Sequence, residues 1–293
     1  MKKIITKLSL TILVLMFSGC FGEQSQTKTS NNNTTGLKDD DIINFEKKRI
    51  SLTTSLDMKN IKIFLKQKVE VDGWNAYVLS LQLKSDEREF ETKDILFSDG
   101  KAITTELYDP KTSRSYKEKI EIKLPQSVYD DSHIIAGNKD AKHKVVLFSD
   151  PLCPFCIEYV PEVISFVKNN PTKIALYYFH FPLVNIHPSA MILSQAMIKL
   201  HLDNKIDNME IKTYQAKFEN SFDPRETNPK IVLNAFNKAL NSKLSLDDIN
   251  QKVVLDILKK DMKVASDSLV SGTPTVFING KIDKTRNAYK KLK

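Results

Sequence analysis

Two cysteines separated by two residues stand at Cys153 and Cys156, in the run Cys-Pro-Phe-Cys. An apolar stretch, Val145-Val146-Leu147-Phe148, precedes them, and a helical stripe of Ile157, Val160, Ile164 and Val167 follows. A pair with this spacing at a strand-to-helix junction makes a redox-active dithiol. Cys153 falls at the N-terminal end of the helix, with Pro154 at the favoured first helical position. Unpaired backbone N–H groups and the positive dipole end there favour a thiolate, holding its pKa below the free-thiol value of ~8.5. Cys153 is thus the expected nucleophile and Cys156, one turn inside, the resolving thiol. Cys153 would attack a substrate disulfide, form a mixed disulfide, and be released by Cys156 or by a second substrate thiol. Phe155 between them is an expected contact for unfolded substrates. A second segment, Gly272-Thr273-Pro274-Thr275, sets a proline directly before a short apolar strand, Val276-Phe277-Ile278.

Other uses of the pair fit less well. Zinc usually takes four Cys or His ligands. The chain has three cysteines in all, and its five histidines (His133, His143, His180, His187, His201) show no metal-site spacing. No metal and no bound cofactor is expected. A structural disulfide across so small a loop would stabilise little, because the entropic gain grows with loop length. The third cysteine is accounted for by the N-terminus. Lys2, Lys3 and Lys7, an apolar stretch from Leu8 to Phe17 and Ser18-Gly19-Cys20 have the pattern of a secretory signal, and the stretch is shorter than the roughly 20 residues of a membrane span. It resembles a bacterial lipoprotein signal, which implies that Cys20 carries lipid.

The elements that must position the dithiol can be read along the 293 residues. Residues 1–19 are the expected signal and 20–39 a disordered tether, rich in Gln, Ser, Thr and Asn. A first domain is expected at 40–125: a helical start over Asp41–Lys48, then a hairpin about Asp72-Gly73, beyond which Tyr77, Leu79, Leu81 and Leu83 alternate with more polar residues. A second hairpin is expected about Asp99-Gly100, between Ile95-Leu96-Phe97 and Ile103–Tyr108. Residues 126–142 read as a linker with a helical piece, ending at Gly137-Asn138. The second domain, 143–293, opens with strand 144–149, helix 154–169 and strand 173–179, a right-handed unit with parallel strands. Helices follow in an insertion at about 188–270 (Ala190–His201, Ile211–Glu219, Ile231–Leu240 and Asp247–Leu269). A strand at 275–278, an Asn279-Gly280 turn, a short strand and a basic terminal helix close the chain. Net charge falls from +8 to +5 without Lys2, Lys3 and Lys7, since residues 1–19 carry no acid. Acids and bases are interleaved, with no basic cluster broken by aromatics, so no nucleic-acid partner is expected.

The Cys153–Cys156 motif and the Gly272–Thr275 loop together resemble the Dsb-type thiol-disulfide interchange proteins of bacterial envelopes, a thioredoxin-like family. That resemblance implies an α+β or α/β fold: a thioredoxin-like domain with a helical insertion, preceded by a small antiparallel α+β (cystatin-like) domain. It implies that Pro274 is cis and that its loop packs on the dithiol, so that Pro154, Phe155, Thr273 and Pro274 shape the site. Leu96-Phe97-Ser98-Asp99-Gly100-Lys101 and Leu107-Tyr108-Asp109 resemble the dimerisation domain of the DsbC and DsbG type, which implies a homodimer. Thr273, and Phe155 where strongly oxidising members carry histidine, point to an isomerase or reductase. Pro154 and the long insertion resemble the DsbA oxidases, which is the alternative; a redox-independent chaperone lipoprotein is a second. Expected partners are cysteine-containing envelope proteins, a membrane redox partner that resets the dithiol, and the membrane itself through a lipid anchor. Localisation is expected to be periplasmic.

Overall fold

The computed structural model describes residues 36–85, 88–203 and 207–292. The expected signal, Cys20 and the tether up to residue 35 lie outside the described residues. From Leu37 onward the chain packs as one unit.

Helix α1 (Asp39–Thr53) starts with Asp39, Asp40 and Asp41, whose charges suit the exposed N–H groups of a helix start. Its buried Ile42 and Ile50 lie on a four-stranded antiparallel sheet: β1 (Asp57–Lys68), β2 (Asn75–Ser85), β3 (Arg88–Ser98) and β4 (Ile103–Thr104), in that order. Gly73, at φ 79°, serves the β1–β2 turn. β2 is covered on both faces. Tyr77, Leu79, Leu81 and Leu83 pack towards α1, while Ala76 and Val78 pack with Phe97, Tyr116 and Ile120. β3 begins well before the apolar run Ile95-Leu96-Phe97. Its polar first half pairs with β2 regardless (Leu81 with Thr92, Leu83 with Phe90), because the ladder supplies backbone partners that side-chain pattern does not report. β4 is shorter than expected; beyond it Tyr108 makes only an isolated bridge to Ser115.

The connector holds more structure than its sequence suggested. Turns of 3₁₀ helix at Gln126–Val128 and Asp131–His133 lead into β5 (Ile134–Ala136). Three residues are too few for a period to show. β6 (His143–Ser149), α2 (Pro154–Lys168) and β7 (Ile174–His180) form the parallel unit, joined later by β8 (Thr275–Ile278) and β9 (Lys281–Ile282) in a five-stranded sheet of order β5-β7-β6-β8-β9. Every residue of β7 is buried, as a strand covered on both faces requires. Asn279 and Gly280, both at positive φ, make the two-residue β8–β9 turn.

Between β7 and β8 lie α3 (Ala190–Leu202), α4 (Met209–Gln215), α5 (Pro229–Leu240), α6 (Leu246–Ile249) and α7 (Lys252–Asp267). The single helix expected over Asp247–Leu269 is thus broken at Asn250-Gln251. Ile249 packs into the core shared with α2 and α5, whereas Val254 and Leu258 pack on Ile198 of α3, so one straight helix could not serve both. The terminal helix is a single 3₁₀ turn, Ala288–Lys291, pinned by fully buried Tyr289 against Tyr159 and Phe166 of α2.

Gly137 ends β5 at φ 78°, and a Cβ there would fall 1.9 Å from the Ile174 carbonyl oxygen. Gly137→Ala is expected to cost about 2–4 kcal/mol in denaturant unfolding, from clash plus left-handed strain. Gly73→Ala, with the same strain but open space around it, should cost only about 1 kcal/mol. Equal losses would contradict this account.

Candidate active site

Cys153 is the N-cap of α2, in extended conformation, with Pro154 at the first helical position. Its carbonyl accepts the N–H groups of Cys156 (2.9 Å) and Ile157 (3.1 Å), which closes the first turn. Its sulfur also meets the first-turn N–H groups of Phe155 and Cys156, the latter shared with the Cys153 carbonyl. Across from it the Thr273–Pro274 peptide is cis, and the Cys153 thiol donates to the Thr273 carbonyl at 3.3 Å. The Thr273 hydroxyl is buried with no hydrogen-bond partner of its own, and its nearness to that sulfur favours the thiolate. Cys153, Cys156, Thr273 and Pro274 are thus brought together from positions far apart in the chain. Both cysteines are free thiols.

The two sulfurs have opposite electrostatics. A hydrogen bond from the Cys156 thiol does most to lower the Cys153 pKa. Burial opposes it, and the Thr273 hydroxyl with the two backbone N–H groups brings the value to about 6. Burial pushes Cys156 far up, the neighbouring Cys153 adds to this, and only the Ser149 hydroxyl and the Asp150 N–H act the other way. Near neutral pH one sulfur is therefore ionised and the other is not. Cys153 is only 4% exposed, while Phe155 beside it is 72% exposed. The attacking sulfur sits in a recess marked by a protruding aromatic ring.

Sequence reasoning missed two buried acids. Asp150 is wholly buried; its carboxylate accepts the N–H groups of Leu152 (2.7 Å) and Leu183 (2.8 Å) and meets His187 Nδ1 at 3.1 Å. It ties the turn before Cys153 to the loop after β7. Asp261 on α7 sits between two imidazoles, His133 Nε2 and His180 Nδ1, each at 2.8 Å. Burial alone would raise its pKa, but the two histidine hydrogen bonds outweigh this and lower it. The signal for Asp261 was legible: an acid in register with Val254, Leu258 and Ala265 on the inward face of α7. No group of three or more His, Cys, Asp or Glu among the described residues is placed to hold a metal ion.

A cleft of 1410 Å³ runs past Pro274 and Thr275, with Phe90 and Lys93 of β3 on one wall and Leu258 and Met262 of α7 on the other. Neither cysteine lines it. It passes the loop that faces them.

Alkylation of the reduced chain should report the asymmetry directly. The rate at Cys153 is expected to reach half its maximum near pH 6, while Cys156 stays unmodified at neutral pH. A half-maximum near ~8.5, the free-thiol value, would show that the helix start does not hold the thiolate.

The thioredoxin family model matches residues 130–293, more than half of the chain. The probable disulfide bond formation protein D of Bacillus anthracis is 30% identical over 159 residues, covering 50% of this chain and 69% of that protein. Its Bacillus cereus counterpart is 28% identical over the same shares. Among solved structures, the catalytic domain of Proteus mirabilis ScsC (21% identity, TM-score 0.42) covers 56% of this chain and 89% of its own. Oxidised BdbD from Bacillus subtilis (14%, 0.44) covers 58% and 92%. Scores at that level add no weight of their own. With the dithiol at the start of α2, the cis-proline loop opposite and a family match that spans both, the chain belongs to the thioredoxin family, among its Dsb-type members.

Proposed function

We propose that the protein is a thiol-disulfide oxidoreductase acting on disulfides of other proteins, with isomerase or reductase action. The observation that carries this is the dithiol at the start of α2, a recessed Cys153 and a buried Cys156, with the cis Thr273–Pro274 loop across from it. Cys153 thiolate attacks one sulfur of a client disulfide. The Cys153–client bond forms, the client S–S bond breaks, and the departing client sulfur takes a proton. A client thiolate then attacks the mixed disulfide and regenerates Cys153, which completes isomerisation. If Cys156 attacks instead, the client leaves as a thiol and the Cys153–Cys156 disulfide remains, which is reduction of the client.

A Cys153 pKa of about 6 supports this direction. Oxidants of this class stabilise the thiolate much further, to about 3.5, whereas the reducing members lie near 7. Phe155 offers no positive charge to the sulfur. The passing cleft, open beside Pro274, suits an extended polypeptide rather than a small thiol. The second reading, a DsbA-like oxidase, is favoured by the names of the Bacillus relatives and by the long helical insertion.

The rest of the reading rests on the sequence. Cys20 is the lipid-bearing residue, the site is periplasmic, the N-terminal sheet serves a homodimer, and a membrane redox partner resets the dithiol. Among the described residues, no helix is long and apolar enough to cross a membrane.

The test is reactivation of scrambled, fully oxidised ribonuclease by the full-length chain beside Cys153→Ser. Recovery that Cys153→Ser abolishes is the expected result. Oxidation of reduced ribonuclease without recovery of the scrambled form would make the protein an oxidase. Suppression of aggregation by both proteins, with no disulfide exchange by either, would replace the enzyme with a chaperone.

A further inference from the structure

Beneath the dithiol, three hydroxyl groups from three separate elements form a buried chain. Ser149 ends β6, Tyr178 lies in β7 and Tyr214 in α4. Tyr214 Oη donates to Ser149 Oγ at 2.7 Å, and Tyr178 Oη lies 2.7 Å from Tyr214 Oη. Ser149 is 0% exposed, Tyr214 1% and Tyr178 3%, and Cys156 belongs to the same core as both tyrosines. Each hydroxyl has one proton. With the Tyr214 proton on Ser149, the Tyr178–Tyr214 bond must be donated by Tyr178. The Ser149 proton is not used within this chain of hydroxyls, and the Ser149 hydroxyl acts on the Cys156 sulfur to favour its ionised form. Both donations run towards Ser149, at the end of β6.

We propose that Ser149, oriented by Tyr214 and Tyr178, is the donor that holds Cys156 as a thiolate while it attacks or leaves the Cys153 mixed disulfide. This rests on the thiol-disulfide reading above and adds a residue to it. In the resolving step Cys156 gives up its proton, which balances the one taken up by the departing client sulfur, and its sulfur bonds to Cys153. The bond from Cys153 to the client breaks, and the client sulfur leaves with the electron pair and takes up a proton. The reverse step expels Cys156 as a thiolate into the same buried place.

The neighbourhood makes such a donor necessary. The groups that act on Cys156 are Cys153 from its own helix, Ser149 and the Asp150 N–H from the end of β6, Tyr178 from β7 and Tyr214 from α4. The charged side chains acting on the nearby Tyr178 are Glu210 and Asp150, both acids. An anion at Cys156 is thus disfavoured by burial and by like charge. Two donors adjacent in sequence, one hydroxyl and one backbone N–H, converge on it, and preorganised donors of this kind are worth most where water is absent.

The experiment mixes the reduced full-length chain with an aromatic disulfide, 5,5′-dithiobis(2-nitrobenzoate), and follows two-phase release of the coloured thiolate. Cys153 liberates the first equivalent and Cys156, by resolving the mixed disulfide, the second. Ser149→Ala is expected to leave the first phase unchanged. It should slow the second about ten- to a hundredfold, the usual value of one hydrogen bond to a charged group, and move its pH inflection upward. Tyr214→Phe, which keeps the ring and its packing, should slow the second phase by a smaller factor. A second phase unchanged in both variants, or both phases slowed alike, would overturn the role of Ser149. Absence of a second phase from the unaltered chain would overturn the thiol-disulfide reading itself, and this proposal with it.

Discussion

The structure turns on the first-turn N–H groups of one helix start. An α-helix offers the amides of its first turn outward, and here the sulfur of the capping residue meets two of them, Phe155 and Cys156, the second shared with the Cys153 carbonyl. That arrangement works only if the helix begins where it does. Pro154 sets the first helical residue, the buried stretch 145–149 of β6 fixes the point from which the chain turns, and the Asp150 carbonyl accepts the Cys153 N–H at 3.1 Å. The sheet, the insertion and the cis-proline loop can each be understood as holding that turn in place from a different side.

The insertion has a closer relation to the chemistry than its length suggests. It does not merely cover the sheet. α4 delivers Tyr214 to the floor of the site, and α7 delivers Asp261 to His180, the last residue of β7. Asp150 and Asp261 are both wholly buried, and both have their oxygens taken by histidine and backbone N–H groups. Such acids are tolerated because each is saturated with donors; removing those donors would leave a charge in the core.

Much of this was legible in the sequence, and for identifiable reasons. The parallel unit around α2 announces itself because a fully buried strand and an amphipathic helix have distinct periods. The turns at Asp72-Gly73 and Asn279-Gly280 were legible because few residue pairs adopt the backbone angles they need. The dithiol was legible because its chemistry needs two particular residues at one spacing. β5 was not, since three residues have no period, and neither was the polar half of β3, whose partner is a backbone ladder. The break between α6 and α7 arises from two cores lying in different directions, which no local window contains. Ser149 and the two tyrosines were hidden because hydroxyls and aromatic rings are ordinary residents of a core, and only their convergence distinguishes them.

The Asn279-Gly280 turn has a mechanical consequence. Its tip is held twice to Lys144 of β6, by the Asn279 side chain and by the Asn279 N–H, and the Gly280 carbonyl accepts the Leu124 N–H at 3.2 Å. Leu124 precedes the connector. A pull on the N-terminal sheet is therefore shared at Leu124 with the hairpin that begins at the cis-proline, before it can stretch the connector. The load path and the loop that faces the dithiol share one strand, so tension on the N-terminal sheet would be felt at the wall of that site.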